Sequence, residues 1–138
     1  MKRKFIQALR RIREHDRRYA PEAYWFVCEG LNYTIRRLDR AEDPAQGHVS
    51  GRELLEGLRQ YALENYGPVA RRVLSSWGVN RTEDFGEIVF SLVEQGLVEA
   101  DPGDSKADFA GGYDFDTAFA APFRPEGSPI EPGGRSDT

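Results

Sequence analysis

Five stretches of this chain space apolar side chains three and four residues apart, and each is bounded by proline, glycine or a capping residue. That period matches one face of an α-helix, so the chain is constrained to a mainly helical body. The first stretch, Lys2 to Arg18, puts Phe5, Ala8, Leu9 and Ile12 on one face and most of its basic residues elsewhere. The second begins at Pro21, which suits a first helical position because the missing N–H needs no partner there. Tyr24, Val27, Cys28, Leu31, Ile35 and Leu38 run along it, and Trp25 and Phe26 widen the stripe, so it is the expected central helix. Gly30 inside the stripe fits a close crossing with another helix. Asp39 to Gly47 reads as an exposed loop.

The third stretch has the clearest start. Ser50-Gly51-Arg52-Glu53 fits a capping box, in which the Ser and Glu side chains satisfy each other's backbone N–H groups. Leu54, Leu55, Leu58, Tyr61 and Ala62 follow on one face, and Gly67 is placed as a left-handed cap. Pro68 restarts a short fourth helix carrying Val69, Val73, Leu74 and Trp77, which Gly78 ends. The fifth helix is expected from Thr82 as N-cap, with Glu83 and Asp84 at the positive end of its dipole. Its inward face is Phe85, Ile88, Val89, Leu92 and Val93, and Gly96 stops it.

Beyond Gly96 the pattern changes. Leu97 to Ala100 reads as a strand, Asp101-Pro102-Gly103-Asp104 as a turn, and Lys106 to Phe109 as the returning strand. Helix, short helix, glycine turn, helix and hairpin is the order of a winged helix-turn-helix. The expected fold class is therefore mainly α with a small antiparallel β-hairpin, winged-helix-like in its second half (α+β). A plain helical bundle with an appended hairpin is the alternative. Tyr113, Phe115, Phe119 and Phe123 are expected to dock the next segment, with a short helix at Asp116 to Ala121. Residues 1–121 are read as one domain. Residues 122–138, with four prolines and three glycines, are read as a disordered tail.

Composition supports one core: 39% of the 138 residues are hydrophobic. The longest apolar run, Ala23 to Cys28, is far short of the roughly 20 residues a membrane helix needs. No apolar region follows the basic start, so no secretory signal is expected. One cysteine forms no internal disulfide and no cysteine-built zinc site, and cytoplasmic residence is the default.

Charge is segregated along the chain. Residues 1–40 hold eleven Lys/Arg against five Asp/Glu, whereas residues 83–138 hold three against thirteen. Such asymmetry either meets a partner of one sign or neutralises itself within the fold. The fifth helix exposes Glu83, Asp84, Glu87, Ser91 and Glu94, and the expected wing adds Asp101, Asp104 and Asp108. A phosphate backbone would be repelled there, so a winged helix of this kind binds protein rather than DNA.

Candidate catalytic residues are few. His15 lies one helical turn from Arg11 and Arg18, and His48 directly precedes the capping box; both are read as structural or exposed. Cys28 sits on an apolar stripe and reads as an inert thiol. The sequence holds no phosphate loop, nucleophile elbow or His-x-x-x-His pair. The aspartates at 101, 104, 108, 114 and 116 lack the order of a calcium loop. No cofactor and no metal site are expected.

Three blocks carry a family resemblance. Asp16-Arg-Arg-Tyr-Ala-Pro-Glu-Ala-Tyr-Trp-Phe-Val-Cys-Glu-Gly-Leu31, His48-Val-Ser-Gly-Arg-Glu-Leu-Leu-Glu-Gly57 and Ser76-Trp-Gly-Val-Asn-Arg-Thr-Glu-Asp-Phe-Gly-Glu-Ile-Val-Phe90 resemble the uncharacterised Minf_1886-type family of planctomycetes and verrucomicrobia. The resemblance spans most of residues 5–120. It implies a compact bacterial domain and carries no activity or catalytic position.

The functional expectation is a non-enzymatic protein-interaction or regulatory module. Its contact residues are Lys4, Arg10, Arg11, Arg17 and Arg18 on one side, and Glu83, Asp84, Glu87, Asp101 and Asp104 on the other. One alternative is a nucleic-acid-associated protein using the basic first helix together with Lys2. Another is an enzyme whose site is not legible in sequence; a concave pocket holding His15 or His48 beside carboxylates would favour it.

Overall fold

The computed structural model describes residues 3–38 and 48–123. Five α-helices form the body: α1 (Arg3–His15), α2 (Pro21–Arg37), α3 (Gly51–Tyr66), α4 (Ala70–Ser76) and α5 (Thr82–Glu94). The loop expected at Asp39 to Gly47, Lys2, and the tail from residue 124 lie outside the described residues. Among the described residues, no helix is long and apolar enough to cross a membrane.

Helix α2 is central, as its wide apolar stripe requires. Ala23, Tyr24, Phe26, Val27, Gly30 and Thr34 are all buried on it. It packs against α3 and α5. The α2–α3 crossing is close because each helix offers a glycine to the other. A Cβ on Gly30 would overlap Leu58 Cδ2, and one on Gly57 would overlap Thr34 Oγ1. Thr34 is buried without cost to its hydroxyl, which donates to the Gly30 carbonyl at 2.7 Å.

Both halves of the capping box form at α3. Glu53 N donates to Ser50 Oγ at 3.1 Å, and Ser50 N donates to Glu53 Oε1 at 3.0 Å. A 3₁₀ turn at Gly67–Val69 leads into α4, which Gly78 ends with φ at 88°. Glycine is required there twice over, because a Cβ would also overlap the Arg18 carbonyl oxygen. That close approach holds the α1–α2 connection: Ala20 N donates to the Trp77 carbonyl at 3.0 Å, and the Tyr19 hydroxyl donates to Asp84 Oδ1 at 2.6 Å.

The expected β-hairpin does not form, and with it goes the winged-helix second half. The described residues contain no strand, and the fold is all-helical. Asp101 to Asp104 does turn, with Asp104 N donating to the Asp101 carbonyl at 2.9 Å. Lys106–Phe109, however, is a 3₁₀ turn with its own capping box: Ser105 N donates to Asp108 Oδ2 at 3.0 Å. That local cap curls the chain and buries Phe109 against α5 instead of extending it. The backbone beyond is satisfied by α5 side chains, not by a ladder. Gly111 N donates to Glu83 Oε2 at 3.1 Å, and Gly112 N to Thr82 Oγ1 at 3.0 Å.

Thr82 is accordingly not the N-cap of α5. It is the first helical residue, 1% exposed, and its hydroxyl also donates to the Phe109 carbonyl at 2.6 Å. The capping acceptor is Asp84, whose Oδ2 takes the N-cap Arg81 N at 3.3 Å and Asn80 N at 2.9 Å. The expected docking segment is present as a π-helical turn at Asp116–Ala120 and a 3₁₀ turn at Ala121–Phe123. Phe115 and Phe119 are buried and the Tyr113 hydroxyl donates to the Leu55 carbonyl at 2.8 Å, while Phe123 stays exposed.

Candidate functional site

Curling of the chain after α5 leaves a cleft of about 430 Å³ between it and helices α2, α3 and α5. Its interior is apolar. Leu31 comes from α2, Leu54 from α3, Val89 and Phe90 from α5, and Phe109 from the 3₁₀ turn. These positions follow from the helical periods that put one stripe of each helix inward.

The rim is polar and of one sign. The capping box fixes where α3 begins, and so sets His48 just ahead of it. His48 Nε2 lies 3.3 Å from Asp101 Oδ2 and 3.4 Å from Asp104 Oδ2. Asp104 is itself held, because its Oδ2 accepts Asp101 N at 2.8 Å. Glu99 and Asp108 complete the rim, so four carboxylates and one histidine line the cleft together with its apolar walls. Among the described residues no lysine or arginine lines it. This size and mixture, an apolar body with a few converging polar groups, is typical of a ligand or anchor-residue site.

The acidic candidate contact residues separate into two groups. Asp101 and Asp104 stand at the cleft. Glu83, Asp84 and Glu87 lie instead where the fold uses them to tie its own segments together. Glu83 takes Gly111 N, Asp84 takes the Tyr19 hydroxyl, and Glu87 Oε1 pairs with Lys106 Nζ at 3.0 Å and Arg18 Nη2 at 3.2 Å. Arg18 also grips Asp16 at 2.7 Å. Those partners hold the Glu87 carboxyl below its usual value, chiefly through Lys106, and the Asp16 carboxyl likewise, chiefly through Arg18. The basic start and the acidic second half thus meet at Arg18, Glu87 and Lys106.

Lys4, Arg10, Arg11 and Arg17 remain at the surface. Arg11 Nη1 donates to Gln95 Oε1 at 3.3 Å, and Arg10 and Arg17 flank a shallow groove beside Ile6 and Pro21. His15 is exposed. Burial pushes the Cys28 thiol up to about 11, so it is not a nucleophile at neutral pH. No group of three or more His, Cys, Asp or Glu among the described residues is placed to hold a metal ion.

The sequence names a pocket holding His48 beside carboxylates as what would favour an enzyme, and the cleft is such a pocket; what it did not foresee is that His48 meets Asp101 and Asp104. The one local signal of His48 was its place beside the capping box, and that signal speaks of helix geometry, not of the distant Asp101-Pro-Gly-Asp104 turn. Compared with known proteins, the chain matches no family model, no curated protein and no solved structure.

Proposed function

We propose that this protein is a non-enzymatic interaction module whose cleft receives a partner protein's segment bearing an apolar side chain next to a lysine or arginine. The observation that supports this reading is the apolar cleft of about 430 Å³ rimmed by Asp101, Asp104, Asp108 and Glu99. Burying one aliphatic or aromatic side chain there contributes about 1.5–3 kcal/mol. The carboxylates add less, because the Asp101 side chain is 62% exposed and an exposed ion pair contributes about 0.2–1 kcal/mol. Their main effect is to steer and select a basic segment, which makes association sensitive to salt. The reading places the module in the cytoplasm, where a lone cysteine stays a thiol. The resemblance to the Minf_1886-type family adds no activity to it.

Selection of displayed peptides on the immobilised full chain tests this. Enriched peptides are expected to carry Lys or Arg beside Leu, Ile or Phe, and to lose affinity in an Asp101→Asn/Asp104→Asn variant and in Val98→Trp, which narrows the cleft because Val98 lines its wall. Enrichment of acidic peptides, or undiminished binding by Val98→Trp, would remove the assignment.

A second reading is general acid–base chemistry by His48, favoured by the carboxylates beside its Nε2. Two facts weigh against it. Both carboxylates face the same ring nitrogen, and among the described residues no hydroxyl, thiol or amine side chain lines the cleft to act as nucleophile. Turnover of generic ester or phosphomonoester substrates that His48→Gln abolishes would shift the assignment to this reading.

A further inference from the structure

We propose that a second cleft, between the first half of α2, the end of α3 and Trp77, binds an alkylated ammonium group. The argument begins with spacing along α2. Glu22, Trp25, Phe26 and Glu29 fall at i, i+3, i+4 and i+7, which sets two aromatic rings between two carboxylates on one helical face. The fold brings Tyr61 and Tyr66 of α3 and Trp77 from the end of α4 opposite that face, leaving a cleft of about 510 Å³.

The rings form walls and a floor. Tyr66 and Trp77 meet nearly at right angles, with centroids 5.9 Å apart and an interplanar angle of 82°. Phe26, 4% exposed, lies beneath, with its centroid 5.3 Å from Tyr61 and 5.6 Å from Trp77. Trp25, 37% exposed, stands at the opening. Aromatic faces are negative, and several converging on one volume attract a cation that sheds its water easily. An alkylated ammonium fits because its charge is wrapped in methyl groups; a bare lysine ammonium is strongly hydrated and fits less well.

The two glutamates decide between a cation and a neutral apolar ligand. Neither Glu22 nor Glu29 makes a hydrogen bond or ion pair with another described residue, and no lysine, arginine or histidine among the described residues lines the cleft. A neutral ligand would take water from the half-buried Glu29 carboxylate and return nothing, and it would gain nothing from the exposed Glu22. A cation compensates for that loss. The negative field already acts on the rings: burial, and after it the Glu29 carboxylate, raises the Tyr61 phenol.

The chain has two tryptophans, and both line this cleft, so intrinsic fluorescence of the full chain reads the site directly. Titration with tetramethylammonium chloride and with choline is expected to change that fluorescence saturably, at constant ionic strength set by sodium chloride. The neutral isostere 3,3-dimethyl-1-butanol is expected to bind about tenfold more weakly or worse, and Glu22→Gln/Glu29→Gln to weaken choline by about tenfold. The double variant changes exposed and half-exposed rim positions, and a far-UV spectrum matching wild type establishes that it folds. A peptide bearing trimethyllysine separates the sources of the group. Tighter binding than choline assigns the site to a modified lysine of a partner, and weaker binding assigns it to a free small molecule; both support the site. No saturable change, or equal binding of choline and its neutral isostere, overturns it.

Discussion

Thr82 illustrates how one side chain can be assigned the right chemistry and the wrong place. A threonine before Glu83, Asp84 and an apolar run has the pattern of an N-cap. Its hydroxyl instead bridges Phe109 O and Gly112 N, which anchors the segment after α5. Thr82→Val keeps the shape and removes both bonds, leaving a carbonyl and an N–H without their partner. Urea unfolding is expected to show a loss of about 2–3 kcal/mol with an unchanged slope. The Tyr24 hydroxyl is the opposite case. It is fully buried, has no hydrogen-bond partner among the described residues, and burial raises it to about 12. Tyr24→Phe is therefore expected to leave stability unchanged or raise it by about 1 kcal/mol, as read by the same titration.

Elements were legible where a local rule had no local rival. The Ser50–Glu53 box, Pro21, and the three-and-four spacing of α1 to α5 all act within a turn or two, and the helices stand close to where those signals put them. The hairpin failed because Ser105-Lys106-Ala107-Asp108 carries its own cap, a local signal stronger than the weak alternation of the strand reading. Gly30 and Gly57 show the next level, at which two elements share a constraint. Gly57→Ala drives a methyl group into Thr34 and is expected to cost about 1–3 kcal/mol. In a Thr34→Ala background the same change is expected to cost less. A double-mutant cycle by thermal unfolding measures that coupling, and additive losses would place the strain elsewhere.

Across the whole molecule the separated charges of the chain partly close on one another. Glu87 holds Arg18 from the α1–α2 connection and Lys106 from the segment after α5. A carboxylate held below its ordinary value, 4.5 for Glu87, binds fewer protons folded than unfolded. Its stabilising contribution is present above that value and is lost as pH falls through the depressed one. The melting temperature is thus expected to hold from neutral pH down to about 5 and then to decline, with a shallower decline in Glu87→Gln. Added salt is expected to shrink the difference between the two proteins, since these groups are largely solvated.

Helix positions, the capping box, the central role of α2 and the imbalance of charge are properties of neighbours along the chain, and the amino-acid sequence alone determined them. The union of His48 with Asp101 and Asp104, and of the α2 face with Tyr66 and Trp77, was decided only by tertiary packing. The reason is range. Periodicity and caps act over a few residues, whereas a cleft forms from side chains far apart in sequence, and its walls are placed by how closely helices cross and by where a buried threonine and phenylalanine turn the chain back.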